Sequence, residues 1–247
     1  MELLSTLIDS NKDRLEELEK TLGHSFRDLG LLQLALIHRS YAFEHDARQD
    51  VDNERLEFLG DAVLDLIIGY ALFEKYPEMR EGELTKLRAM LVNEAHLAEM
   101  AENISLGGFL YLGKGEDSSH GRRKPSILSC SYEAVVGAIF HDGGYGAASD
   151  FVRRHFLPRL DARKEQLPLA DAKSTLQELT QGKYNEAPVY VLEKAEGPDH
   201  CKVFTVSVRF RDEVLAYGRA TSKKEAEQKG AAAALLKLAG SDIPGAP

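Results

Sequence analysis

Cysteine is almost absent from this sequence. Cys130 and Cys201 are its only two, too few and too far apart for a disulfide framework or a structural zinc site, so a reducing cytoplasm is the expected setting. No apolar run reaches the ~20 residues that span a bilayer, which excludes a helical membrane anchor. The N-terminal MELLSTLIDSNKDRLEELEK is too charged and too acidic for a signal or organelle-targeting segment. There is no internal repeat and no long low-complexity tract. The eight histidines show no metal-ligand spacing, and no Ser-His-Asp or Cys-His arrangement offers a side-chain nucleophile. His38, in LIHRSY, reads as structural.

Positive charge is also short. The formal net charge is −9, which taken alone argues against a nucleic-acid partner. The average conceals a split: residues 1–170 hold 20 Lys and Arg against 29 Asp and Glu, whereas residues 171–240 hold 11 against 10. An acidic body is joined to a nearly neutral module, so local clusters decide more than the total. A hydrophobic content of 43% with 29% charged residues, over 247 residues, fits a soluble globular protein of one large or two ordinary domains.

Residues 1–160 carry helical periodicity, with helices predicted at 11–21, 28–39, 53–75, 82–102, 127–141 and 146–160. The stretch 161–170 is charged, contains proline and lacks periodicity, which predicts a linker. Residues 171–240 change texture: a short helix at 172–181, strands at 187–195, 202–210 and 213–220, then a helix opened by Ser222 with Glu225 three residues on. Residues 241–247 form a tail. The predicted class is α+β multidomain, an all-α helical domain followed by a small α-β-β-β-α domain.

The segment NERLEFLGDAVLDLIIGYAL, from Asn53 to Leu72, sets Glu54, Glu57, Asp61 and Asp65 into an otherwise apolar helix. Spacings of three, four and four stack those side chains on one face. A solvated stripe is the ordinary explanation of such a row. Here the row is of one sign, the helix is apolar over more than half its circumference, and Gly60 permits close approach by another segment. Carboxylates on a buried helix suit a hard divalent cation with oxygen ligands. Glu81, in MREGELTKLRAML, and Glu133, in SILSCSYEAVVGAIFHDGG, are the further acids such a site requires.

NERLEFLGDAVLD, with LALIHRSY upstream and EGELTKLRAMLV and YEAVVGAIFHDGG downstream, resembles the nuclease domain of bacterial ribonuclease III. The C-terminal α-β-β-β-α unit resembles the double-stranded-RNA-binding domain of that family. The resemblance spans about residues 15–238. It implies a Mg²⁺-dependent endoribonuclease for double-stranded RNA, with Mn²⁺ as a possible substitute, acting as a homodimer. It implies staggered cuts that leave 5′-phosphate, 3′-hydroxyl and short 3′ overhangs, in processing of ribosomal RNA precursors and other structured transcripts. Matched position by position, Glu57, Asp61 and Glu133 correspond to metal-binding acids, Asp61 and Glu133 being the catalytic pair. Glu54 and Glu81 correspond to acids at the edge of the catalytic valley. Phe58 corresponds to an aromatic that plugs into the partner subunit, although core packing also explains a phenylalanine there.

One position departs from the family pattern. Where an aspartate is usual three residues before Glu133, this chain has Cys130. A thiol is mostly neutral at pH 7 and is a poor ligand for Mg²⁺. Cys130 reads either as a small buried hydrophobe with water in the ligand's place or as the mark of a weakened catalyst. Because Mg²⁺ keeps several waters, activity is expected to survive with a raised metal requirement.

In the C-terminal module, Gln177 and Glu178 are placed on a helix to reach minor-groove hydroxyls. His200 lies in the GPDH loop, and Lys223 and Lys224 lie in the first turn of the last helix, where cations and the helix N-terminus converge on phosphate. Each cluster alone is ordinary surface; their order on α-β-β-β-α gives them meaning. GRRKP, at 121–125, is a further phosphate contact or a solvated loop. Two other functions compete: a non-catalytic dimeric binder of double-stranded RNA, favoured by Cys130, and a helical metal enzyme acting on small pyrophosphates, which leaves the C-terminal module unexplained.

Overall fold

The computed structural model describes residues 2–45, 51–198, 201–211 and 213–239. The chain divides into two compact units, residues 1–161 and 162–247.

The first unit is helical: α1 (Glu2–Leu22), α2 (Leu29–Ala35), α3 (Arg39–His45), α4 (Glu54–Lys75), α5 (Glu81–Leu91), α6 (Glu94–Asn103), α7 (Lys114–Ser118) and α8 (Pro125–Phe156); α9 (Leu160–Ala170) begins at its last two residues and continues into the second unit. Its centre is the pairing of α4 with α8, against which α2, α5 and α6 pack. Leu56, Val63, Leu64, Ile67, Ile68, Ala71 and Leu72 of α4 are buried, as are Leu128, Tyr132, Val135, Val136 and Ile139 of α8. Each such large aliphatic side chain contributes ~1.5–3 kcal/mol of burial, enough to hold a helix that also carries a row of carboxylates. Gly144 interrupts α8 with φ 74°, a conformation open to glycine and strained for other residues.

Four sequence expectations are corrected. α1 begins at Glu2 rather than at residue 11. The helix expected over 28–39 ends at Ala35, because Leu36 and Ile37 leave it to pair with Tyr111, whose N–H donates to the Leu36 carbonyl at 2.9 Å. The helix expected over 82–102 is two, divided at Asn93, whose side chain caps α6 by accepting from the His96 N–H at 2.9 Å. The expected linker is helical as α9: Leu160 and Leu167, two turns apart, are both buried, a stripe too sparse to register among charges.

The second unit has the order α10 (Ala172–Tyr184), β1 (Val189–Glu196), β2 (Val203–Phe210), β3 (Glu213–Ala220) and α11 (Lys223–Ala239). The strands form one antiparallel sheet in the order β1-β2-β3. α11 covers β2 and β3, and α10 packs on α11. Val206, Val208 and Phe210 alternate into the core beside Leu176, Leu215, Ala231 and Ala234. Ser222 accepts from the Glu225 N–H at 3.2 Å, which caps α11.

Candidate metal centre and RNA-facing surface

The crossing of α4 and α8 builds the centre. Glu57 and Asp61 lie on α4 either side of Gly60, and Cys130 and Glu133 lie on α8 one turn apart and before Gly137. Among the described residues, one group of three His, Cys, Asp or Glu side chains has its ligand atoms all within 4.8 Å of one another: Glu57, Cys130 and Glu133. Burial, then the charges of Asp61 and Glu57, push the Glu133 carboxyl up to about 7. Glu57 and Glu133 thus meet each other and Cys130, while Asp61, exposed on α4 and outside that group of three, reaches Glu133 only through its charge; carboxyl groups so placed fit a divalent cation.

The ends of the carboxylate row are treated differently. Glu54 pairs with Arg39 of α3 at 3.4 Å, and Asp65 pairs with Arg88 of α5 at 3.6 Å. Only the middle of the row, Glu57 and Asp61, faces Glu133. The two arginines escaped the sequence reading because they come from other helices; no local spacing announces them.

Cys130 is half-buried. Burial pushes its thiol up to about 12, and a hydrogen bond to Glu57 holds the proton in place. Carboxylate oxygens such as those of Glu57, Asp61 and Glu133 have the chemistry Mg²⁺ takes; a neutral sulfur does not. A cleft lined by His38, Arg39, Glu54, Glu57, Ser126 and Cys130 opens beside the centre. Its wall is fixed by His38 Nδ1, 2.8 Å from Ser40 Oγ, which accepts from the Gly113 N–H at 2.8 Å. Asn53, the buried first residue of the motif, ties α4 to the end of α2 through its N–H, which donates to the Ile37 carbonyl at 2.9 Å.

Glu81 is elsewhere. It begins α5, accepts from Thr85 Oγ1 at 3.1 Å, and lines a mostly apolar groove with Leu66, Tyr70, Phe73 and Arg88. Phe58 is 81% exposed, so core packing does not account for it. Leu66, Tyr70 and Phe73 continue an exposed apolar stripe along α4. In GRRKP, Arg122 is consumed internally, donating to the Gly107 and Leu110 carbonyls and pairing with Asp117, and Lys124 pairs with Glu116; of the three basic residues, Arg123 is the exposed one.

In the second unit, Gln177 and Glu178 are exposed on α10, and Lys223 and Lys224 are exposed in the first turn of α11. His200 lies outside the described residues.

Residues 28–160 match the Ribonuclease-III-like family, and residues 172–238 match the double-stranded RNA binding motif. Ribonuclease 3 of Desulfotalea psychrophila is 63% identical over 232 residues, covering 94% of this chain and 96% of that protein. The chain belongs to the ribonuclease III family. Ribonuclease 3 of Syntrophobacter fumaroxidans is 46% identical over 92% of this chain and 96% of its own length. The crystallised nuclease domain of ribonuclease III from Campylobacter jejuni is 42% identical, with a TM-score of 0.53, over 58% of this chain and 99% of that domain. That structure concerns flexibility in the region of that protein involved in dimer formation. As a ribonuclease III family member the chain is a ribonuclease, a hydrolase with a double-stranded-RNA-binding domain. Among the described residues no helix is long and apolar enough to cross a membrane.

Proposed function

We propose that this ribonuclease III family member is a Mg²⁺-dependent, double-strand-specific endoribonuclease that works as a homodimer in a reducing cytoplasm, with Mn²⁺ able to replace Mg²⁺. Glu57, Asp61 and Glu133 hold the metal. When bound, the cation supplies an activated water, neutralises the non-bridging phosphate oxygens and stabilises the leaving 3′-oxygen. The protein's own part is positional: two helices locked in contact keep the carboxylates in place. Glu133, its carboxyl raised to about 7 by burial and by the charges of Asp61 and Glu57, is divided between protonated and ionised forms near neutrality and would release its proton to hold the cation.

What supports the reading above all is one observation, the meeting of Glu57 and Glu133 within 4.8 Å, with the charge of Asp61 acting on Glu133 from α4. Glu54 borders the valley that receives the duplex, and Glu81, which lines the separate α4–α5 groove, is assigned to the valley's edge by the family pattern alone. Phe58 and the apolar stripe beyond it supply the surface for a second copy. Gln177, Glu178, His200, Lys223 and Lys224 grip A-form RNA by shape, over ~16 base pairs. The products are 5′-phosphate and 3′-hydroxyl ends with short 3′ overhangs, from ribosomal RNA precursors and other structured transcripts.

The test is cleavage of a long perfect RNA duplex across a Mg²⁺ titration, with the product ends mapped. Staggered cuts that appear with Mg²⁺ and vanish in Glu133→Ala support the proposal. Tight duplex binding with no cuts at any Mg²⁺ or Mn²⁺ concentration would leave a dimeric RNA-binding protein instead.

A further inference from the structure

The third donor at the centre is sulfur, and that alters which cations the centre selects. Cys130 and Glu133 sit three residues apart on α8, so both project from one face, and Glu57 meets them from α4. Their ligand atoms lie within 4.8 Å of one another. A tetrahedral ion with metal–sulfur and metal–oxygen bonds of ~2.3 and ~2.1 Å needs neighbouring donors roughly 3.4–3.6 Å apart. Carboxylate rotation of about an ångström closes that difference without moving either helix. The cleft beside Glu57 and Cys130 leaves a fourth position for water.

We propose that Cys130, Glu57 and Glu133 form a binding site for a thiophilic divalent cation of the Zn²⁺ or Cd²⁺ class, which competes with Mg²⁺ for the centre. The inference rests on the reading that Glu57 and Glu133 are metal ligands. Thiolate favours soft and borderline cations over Mg²⁺, so an aspartate at this position would favour Mg²⁺ and the cysteine works against it. As the metal–sulfur bond forms, the thiol proton passes to solvent and no atom changes oxidation state. A bound thiophilic ion occupies the carboxylates that Mg²⁺ requires, so traces of it switch cleavage off. Cys201, the other free thiol, is exposed in the second unit and has no part in the site.

The experiment titrates Cd²⁺ alone into the full-length protein without RNA and follows the ultraviolet sulfur-to-cadmium charge-transfer absorbance. We expect a band saturating at one Cd²⁺ per chain, retained in Cys201→Ser and absent in Cys130→Ser, with far-ultraviolet circular dichroism confirming that both variants fold. Glu133→Gln should raise the half-saturating Cd²⁺ concentration by about tenfold or more, and excess Mg²⁺ should diminish the band. A band that survives Cys130→Ser, one that disappears in Cys201→Ser, or none in the wild-type chain overturns the proposal. So does a Cd²⁺ affinity indifferent to Glu133→Gln. The readout needs no turnover: a protein that binds Cd²⁺ through Cys130 yet never cuts RNA refutes the nuclease proposal alone, and a Mg²⁺-dependent nuclease without the band refutes this one alone.

Discussion

Gly60 and Gly137 face each other where α4 crosses α8. A Cβ on Gly60 would collide with the Glu133 carbonyl, and a Cβ on Gly137 would collide with the Leu56 carbonyl. The obstacle in each case is backbone, which cannot turn aside as a side chain can. The absence of two methyl groups therefore brings Glu57 and Asp61 up to Glu133. Gly60→Ala or Gly137→Ala is expected to cost about 1–3 kcal/mol or more, measured by urea unfolding, and to weaken Mg²⁺ binding by spreading the carboxylates.

Glu133 makes the metal-free protein sensitive to pH. Its carboxyl is raised from 4.5 to about 7, so folding favours its protonated form. That contribution is complete below about 4.5, and it is lost as pH rises through about 7. Glu133→Gln removes the charge while keeping the shape. In chelator, the variant should be more stable than the parent by roughly 1–3 kcal/mol at pH 8, and the gap should close at pH 4.5. Chemical denaturation at the two values measures it; an equal gap at both would refute it.

Cys130→Asp adds an oxygen ligand where the chain has sulfur. In the presence of Mg²⁺ the variant should reach half-maximal cleavage at a concentration several-fold lower than the parent, on the order of the 10-fold effects seen when metal-site groups change. A Mg²⁺ titration of the cleavage rate, with kcat recorded separately, decides it.

Lys223 and Lys224 project from the first turn of α11. Replacing both by alanine should weaken duplex binding uniformly across sequences and reduce the slope of log K against log salt by about 1 for each lysine. Filter binding over a salt series reads the slope. An unchanged slope would remove both residues from the phosphate contacts.

The sequence carried most of the fold, because its signals there are local. The β2 alternation from Phe204 to Phe210 and the row on α4 both arise within one element, and the structure follows them closely. What stayed hidden depends on partners distant in the chain. Arg39 and Arg88 pair with the ends of the row from two other helices. Gly137 gains its meaning only opposite Leu56, and Cys130 only beside Glu57. Asn93 was readable as a cap in principle, yet the apolar periodicity on either side of it suggested one helix. Glu81 stands in the motif order but opens onto a different groove, so its nearness to the centre could not be judged from sequence spacing.

The uncompensated centre also governs the order in which ligands arrive. With Glu54 paired to Arg39 and Asp65 to Arg88, the rest of the row's negative charge lies at Glu57 and Asp61, and on the proposed function an incoming phosphodiester meets like charge there. Cation and RNA therefore help each other. On the proposed function, a bound divalent ion would reverse the local sign and draw the backbone in, and by thermodynamic reciprocity the docked RNA would tighten the ion by the same factor. On the proposed function, the metal-free first unit would turn a polyanion away from Glu57 and Asp61, and the grip on RNA would be left to the second.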